Sequence, residues 1–258
     1  MAVAREETCK TGYSVEIIIT KDFRLYNVSP AELIPRLEAL RNKAVRVRNE
    51  LLELYQKLPT NDPRVVTARH IKSVISSSYL NLILVNENLQ DPNWWRRQGF
   101  DVAIKKGTIQ DELDDYMVLL TNAVILYALS LFEAGLRRVV RAINPDACSG
   151  GTAGFKVIYD WLFTRLKKEG WSLSAGDPVA FLDLYRYVRN TVHNNMRYYS
   201  PSGTNAIVTW QGMTYEFRHT QGQDFIDWNF HLMLLSNLVE LNGEVMRADL
   251  IRQLPPIP

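Results

Sequence analysis

Cysteine is scarce in this sequence of 258 residues, and histidine is nearly as rare. The only cysteines, Cys9 and Cys148, lie far apart, without a CxxC pair or a histidine cluster at ligand spacing. This pattern excludes a disulfide framework and a structural zinc site. We therefore expect a protein of a reducing compartment that needs no metal and no cofactor.

An excess of charge of one sign is also missing. The sequence contains 30 basic and 28 acidic residues, and its formal net charge is +2. This balance excludes a protein that binds nucleic acid through the charge of the whole molecule, so any anion site must be local.

Long hydrophobic runs are absent as well. One apolar run, residues 117–132 (MVLLTNAVILYALSLF), contains polar residues and is shorter than the about 20 residues of a membrane span. Residues 1–12 are polar and lack the apolar core of a secretory signal. We expect a soluble cytoplasmic protein without a membrane segment, in which residues 117–132 form a helix buried on most of its faces.

Apolar residues recur at helical spacing over most of the sequence from Ser29 onward. Several of these patterns begin with a serine or aspartate followed by proline, which caps a helix and then fits its first turn. The central pattern begins with acidic residues and ends with arginines, as the helix macrodipole favours. The predicted helices cover residues 29–58, 64–90, 108–143, 155–169, 177–195 and 223–253.

A small β-hairpin is predicted before the last helix. Two β-prone runs, IVTW and MTYEF, flank Gln211 and Gly212, so residues 205–218 fit two strands around a tight turn. Residues 13–26 are also β-prone and favour a short strand or an irregular segment. The final PPIP indicates a frayed end.

These patterns predict a mainly-α protein, an up-and-down helical bundle with a small β-hairpin before the last helix. No internal repeat or interdomain linker is visible, which favours a single helical domain over residues 1–258. Residues 1–28 are its N-terminal irregular or short-strand segment. Residues 29–107 supply long helices, and residues 108–253 form the helical core that carries the hairpin.

The helix predicted over residues 177–195 ends in a polar, basic segment, RYVRNTVHNN. Arg186, Arg189 and His193 follow one another at intervals of three and four residues, so they share one helix face. Two guanidinium groups beside an imidazole give a polyanion such as RNA a local positive field. Further polar side chains adjoin them: Asn190, Asn194, Asn195, Arg197, Tyr198 and Tyr199.

This segment resembles the motif of the HEPN superfamily, whose members are compact helical bundles, often dimeric, and include many metal-independent ribonucleases. The motif is an arginine, commonly followed by a polar residue, and a histidine after about four to six intervening positions on a late helix. Arg189 is followed by polar Asn190, but only three residues separate it from His193. Arg186 lies within the spacing range but is followed by Tyr187. Both arginines remain candidates.

The likeness covers residues 108–250 and is strongest over residues 185–217, where the hairpin IVTWQGMTYEF follows the motif. It implies RNA cleavage by attack of a ribose 2′-hydroxyl on the adjacent phosphate, in a toxin or defence setting. His193 would be the general acid or base, since an imidazole titrates near neutral pH. Arg189 or Arg186 would stabilise the phosphate charge, and Asn190 would orient the phosphate or the histidine. The implied substrate-binding residues are Arg197, Asn194, Asn195, Glu133 and Tyr198.

The resemblance also implies partners: RNA, a second copy in a homodimer, and a protein such as an antitoxin. The alternative is a non-catalytic HEPN-like module for dimerisation or protein interaction, which the short spacing between Arg189 and His193 favours. A structural explanation also stands, because arginine, histidine and asparagine all suit the C-terminal end of a helix.

Two further groups of residues leave alternatives open. Glu133 interrupts the apolar central helix, where it either pairs with Arg137 one turn later or reaches the basic segment. Trp94 and Trp95 lie in the predicted connection before that helix. They either stack on nucleobases or pack beneath a loop.

Overall fold

The computed structural model describes residues 28–99, 109–148, 154–172 and 176–258, and these residues contain eight α-helices and one β-hairpin. The predicted mainly-α fold with a hairpin before the last long helix is confirmed. The helices are α1 (Pro30–Leu54), α2 (Pro63–Leu84), α3 (Pro92–Arg97), α4 (Ile109–Ile143), α5 (Phe155–Lys168), α6 (Pro178–His193), α7 (Trp228–Arg247) and α8 (Asp249–Arg252). A π-helical turn, Val85–Leu89, extends α2, and a 3-10 turn, Pro145–Cys148, follows α4.

Side-chain caps begin most of these helices. Ser29 forms a capping box with Glu32 at the start of α1. Asp62, Asp91 and Asp177 each precede a proline, and each carboxylate accepts a hydrogen bond from a backbone N–H of the first turn. The cap at Asp91 begins α3, so the predicted connection that contains Trp94 and Trp95 includes a short helix.

Four long helices, α1, α2, α4 and α7, enclose most of the core. Tyr116 of α4 donates a hydrogen bond to Asn81 of α2 at 3.0 Å, whereas Gly135, about five turns later, lies against Thr67. The two helices are therefore antiparallel. A Cβ at Gly135 would lie 2.2 Å from the Thr67 hydroxyl, so glycine is required for this close approach.

The hairpin consists of β1 (Ala206–Trp210) and β2 (Met213–Phe217), paired antiparallel as predicted. Gln211 and Gly212 both have positive φ, as a two-residue type I′ turn requires. The inward-facing Trp210 lies 5.2 Å from Phe181 of α6, between ring centroids. The hairpin therefore packs on α6, and this contact fixes the position of the hairpin relative to that helix.

The C-terminal segment is well anchored. Arg64 and Asp62 form a fully buried ion pair, and Arg64 also donates hydrogen bonds to the carbonyl groups of Ile251, Leu254 and Pro255. Ile257 is 4% exposed, and its N–H donates to the Asp62 carboxylate at 2.9 Å. The prediction of a frayed PPIP end is wrong, because its backbone supplies the hydrogen bonds that the buried pair needs.

The apolar run of residues 117–132 lies within α4. By length and composition alone, α4 is the one helix among the described residues that could cross a membrane, a test that a core helix of a soluble protein also passes. Within residues 117–132, only Leu119, Tyr127 and Ser130 are exposed. Most of this run is therefore buried or partly buried, and one side of it is open to solvent. Residues 13–26, predicted as a strand or irregular segment, lie outside the described residues.

Candidate functional site

Helix α6 carries the predicted motif, and its two faces differ sharply. One face buries Phe181, Leu184, Tyr185 and Val188 against the core, and the Tyr185 hydroxyl donates to the Ile125 carbonyl of α4 at 3.2 Å. The opposite face is partly or fully open to solvent along its length. That face carries Arg186, Arg189, Asn190 and His193, and we call these four residues the α6 stripe.

Arg189 reaches across to the central helix. Its guanidinium Nη1 lies 3.4 Å from Oε2 of Glu133, and the Arg189 side chain is 36% exposed. The other oxygen of Glu133 accepts from Nη2 of Arg137 at 2.6 Å. Both roles considered for Glu133 therefore occur together, since one carboxylate pairs within α4 and also reaches the motif arginine.

Arg186 belongs to a second polar cluster. Its Nη2 donates to Asp183 at 3.1 Å, and its guanidinium lies 4.5 Å from the Tyr187 ring centroid. Asp183 also accepts from the Tyr159 hydroxyl at 2.5 Å and from Lys156 at 3.0 Å. The sequence patterns do not predict this cluster. Only the Asp183–Arg186 spacing of one turn was a visible signal, because Lys156 and Tyr159 come from α5.

Opposing effects set the pKa of Asp183. Burial alone would raise this pKa, but hydrogen bonds from Tyr159, Lys156 and Arg186 stabilise the carboxylate and lower the pKa below its usual value. Asp183 is therefore ionised at neutral pH and fixes the Arg186 guanidinium in place.

His193 is the last residue of α6, and its side chain is exposed. In the described part of the chain, no hydrogen bond or ion pair engages its imidazole. Asn194 instead ends the helix. Its backbone N–H donates hydrogen bonds to the carbonyl groups of Asn190 and Thr191, and its side-chain amide donates to the carbonyl group of Asn190. Asn195 follows with positive φ. Helix-ending chemistry thus accounts for the asparagines, and His193 is the basic residue of the last turn, a position that also suits the helix dipole.

The other residues predicted to bind substrate do not lie together. Arg197 is exposed, and its Nη1 donates to the Thr220 carbonyl at 2.9 Å. Tyr198 is buried, with its ring 5.5 Å from Tyr187 and 5.6 Å from Phe217. The structure therefore brings Glu133 to the α6 stripe and directs the Tyr198 ring into the core beneath the hairpin.

The chain matches no family model, no curated protein and no solved structure. The likeness to the HEPN superfamily thus rests on the α6 sequence and the hairpin that follows it.

The surface around the α6 stripe is open. Three clefts, of about 490 Å³, 360 Å³ and 310 Å³, are lined by residues of α1, α2, α3, α4, α5, α7 and α8 and the adjoining segments, and none of the three includes a residue of α6. Within the described ranges, no group of three or more histidine, cysteine or acidic residues is arranged to bind a metal ion. An open row of cations and one imidazole suits an extended polyanion better than a small molecule.

Proposed function

We propose that the α6 stripe binds the phosphodiester backbone of RNA and that His193, with Arg189, cleaves it in a reaction that needs no metal. The observation that carries this proposal is the exposed His193 imidazole, unengaged by the described residues, on the same helix face as two arginines. A buried or hydrogen-bonded imidazole would support only a structural role.

In the proposed reaction, a ring nitrogen of neutral His193 accepts the proton of a ribose 2′-hydroxyl. The 2′-oxygen attacks the adjacent phosphorus, and the bond from phosphorus to the 5′-oxygen breaks. The leaving 5′-oxygen takes a proton from the imidazolium or from water. The products are a 2′,3′-cyclic phosphate and a free 5′-hydroxyl.

The contacts favour Arg189 over Arg186 as the group that stabilises the phosphate. Arg189 makes one long contact to Glu133, and Glu133 keeps Arg137 as a partner if Arg189 turns away. A phosphate oxygen can therefore replace Glu133 with a charge-assisted hydrogen bond. Arg186 is tied to Asp183 and stacked on Tyr187, so it adds charge from a fixed position.

A non-catalytic interaction module is the second candidate. The observations that favour it are that Asp183 and Glu133 already form ion pairs with the two arginines, and that none of the three clefts includes a residue of α6. Such a module would use the same helix face to bind a partner such as an antitoxin and would leave RNA intact.

The test incubates purified protein with mixed single-stranded RNA in EDTA and follows cleavage and the chemistry of the new ends. Wild-type protein should produce cyclic phosphate ends, and His193→Ala should lower the rate at least about a hundredfold, the usual scale of general acid–base catalysis. His193→Ala should still bind RNA, because both arginines remain.

His70→Ala is the matched control, because His70 is exposed on α2, a helix that does not carry the motif. It should cleave as the wild type does. Equal cleavage by His193→Ala and wild type would overturn the catalytic proposal, whereas intact RNA with all three proteins would support the non-catalytic module.

A further inference from the structure

The outward side of α4 between its two charged ends is apolar and open to solvent. Leu119 and Tyr127 are each 65% exposed, and Leu80 and Leu84 of the neighbouring α2 are 59% and 54% exposed. The hydrogen bond between Tyr116 and Asn81 places the part of α2 that carries Leu80 and Leu84 beside the first half of α4, where Leu119 lies about one turn after Tyr116. Contiguous exposed apolar surface of this kind marks an interaction site.

The charges at the two ends of this surface have opposite signs. The first turns of α4 carry Asp111, Glu112, Asp114 and Asp115 and no basic residue, and residues 116–132 carry no charge. The last turns carry Arg137, Arg138 and Arg141, with Glu133 as the only acid. Glu112 and Arg141 are both exposed, and neither has an ion-pair partner among the residues that the structure describes.

We propose that this surface binds a second copy of the chain, with the two α4 helices antiparallel about a twofold axis between Leu126 and Tyr127. In that register Glu112 of each copy lies opposite Arg141 of the other, so both acidic ends meet basic ends. Leu119 lies opposite Ala134, a large side chain against a small one. The pairing is isologous, as a closed dimer requires.

The charge pattern selects this occupant over a lipid bilayer. The buried side of α4 forms the bundle core with α2, α6 and α7, so the helix cannot enter a membrane without unfolding the bundle. Lying flat on lipid would also give no partner to the opposite charges at the two ends. A second copy would cover the apolar centre of the surface and would also pair the charges at both of its ends.

This dimer does not depend on the proposed ribonuclease activity. Glu133 lies seven residues from Leu126 along α4, about 10 Å from the axis at 1.5 Å per residue. The α6 stripe of each copy, which Glu133 contacts, would therefore lie near the interface. Loss of dimerisation and loss of RNA cleavage are separate measurements with separate variants.

The experiment measures mass by sedimentation velocity over a wide range of protein concentration. Wild-type protein should sediment as a species of twice the 29.7 kDa chain mass. Tyr127→Asp should shift it to the monomer and raise the dissociation constant about tenfold or more, because it places a charge at the axis. Ile207→Asp, on the exposed side of β1, is the matched control and should remain a dimer.

Charge reversal tests the register without altering the core. Glu112→Arg and Arg141→Glu should each weaken the dimer by about tenfold, since each creates two like-charge contacts across the axis. An equimolar mixture of these two variants should recover wild-type affinity, because each contact in the heterodimer then joins opposite charges.

A wild-type monomer at all concentrations would overturn the proposal, and so would a dimer that Tyr127→Asp leaves intact. Failure of the mixed variants to recover affinity would overturn the antiparallel register. Flotation with phosphatidylcholine vesicles completes the test, because a monomer that floats with the vesicles would show that lipid covers the surface instead.

Discussion

At the scale of single residues, Glu133 controls how much positive charge the α6 stripe offers to a phosphate. Its carboxylate is partly buried between Arg137 and Arg189 and holds both. The sequence showed the spacing of Glu133 to Arg137, but the contact to Arg189 joins residues that are 56 positions apart. Such a contact depends on how α4 and α6 pack, which periodicity does not specify.

Glu133→Gln should release Arg189 and strengthen RNA binding by several fold, because the amide no longer neutralises the guanidinium. The free energy of unfolding should fall by about 1 kcal/mol through the weakened contact to Arg137. Filter binding at two salt concentrations measures the affinity and its salt dependence. The control, Glu50→Gln on α1, removes an exposed ion pair with Arg247 and should leave RNA affinity unchanged.

His231 is a second residue with a measurable consequence, since its imidazole is buried in α7 and hydrogen-bonds to none of the described residues. Burial lowers its pKa to about 3. The unfolded chain binds a proton near the ordinary value of about 6.5, so it gains protons before the folded chain does. The contribution of neutral His231 to folding stability is therefore fully present above about pH 6.5 and is lost progressively as pH falls toward 3.

We predict that wild-type protein loses about 2 kcal/mol of unfolding free energy between pH 7 and pH 5 through this residue. His231→Phe should show a correspondingly shallower loss, measured by urea unfolding at both values. His70→Phe, at an exposed site, should retain the wild-type dependence. Parallel stability curves for wild type and His231→Phe would show that the imidazole gains its proton in the folded state.

At the scale of helices, side-chain caps determine most of the boundaries. The aspartate–proline pairs at residues 62 and 177 predicted the starts of α2 and α6. The same pair at Asp91 begins α3, which was missed because a six-residue helix is too short to show a period. Helix α7 begins at Trp228 rather than residue 223. The Gln223 side chain instead bonds the backbone of Arg218 and Gln221, which holds this stretch outside the helix.

The buried pair of Arg64 and Asp62 should decide whether the C-terminal segment stays attached. Arg64→Ala leaves the Asp62 carboxylate buried without its cation and removes three hydrogen bonds to carbonyl groups. We predict a loss of about 3–5 kcal/mol in unfolding free energy. Thermal denaturation measures it, with Arg69→Ala on the more exposed side of α2 as control. A loss below about 1 kcal/mol would contradict the anchoring role.

At the scale of the whole molecule, the sequence predicted the helical fold and the shared face of the motif, but not what covers α4. Periodicity shows that residues 117–132 are apolar, whereas burial depends on which surfaces lie nearby. The chain covers one side of α4 and leaves Leu119 and Tyr127 open. Apolar composition alone cannot separate a side packed within the chain from a side available to a second copy.

For the α6 stripe as well, the sequence shows which residues share a helix face but not which residues of other helices they contact. Intervals of three and four residues placed Arg186, Arg189 and His193 on one face, and the structure agrees. Asp183 pairs with Arg186 and Glu133 pairs with Arg189, which reduces the positive charge available to a phosphate. Only tertiary packing establishes the contact between Glu133 and Arg189. Of Arg186, Arg189 and His193, only His193 has no hydrogen bond or ion pair to the described residues, so the functional proposal depends on it.

The most direct test of that proposal is an NMR titration of the four histidine side chains with 2′-O-methyl RNA, which binds but lacks the attacking hydroxyl. The His193 imidazole resonances should shift as RNA is added, while those of buried His231 and of His70 on α2 stay in place. RNA binding that leaves His193 unshifted, or that shifts His70 most, would contradict the assignment of the α6 stripe as the RNA site.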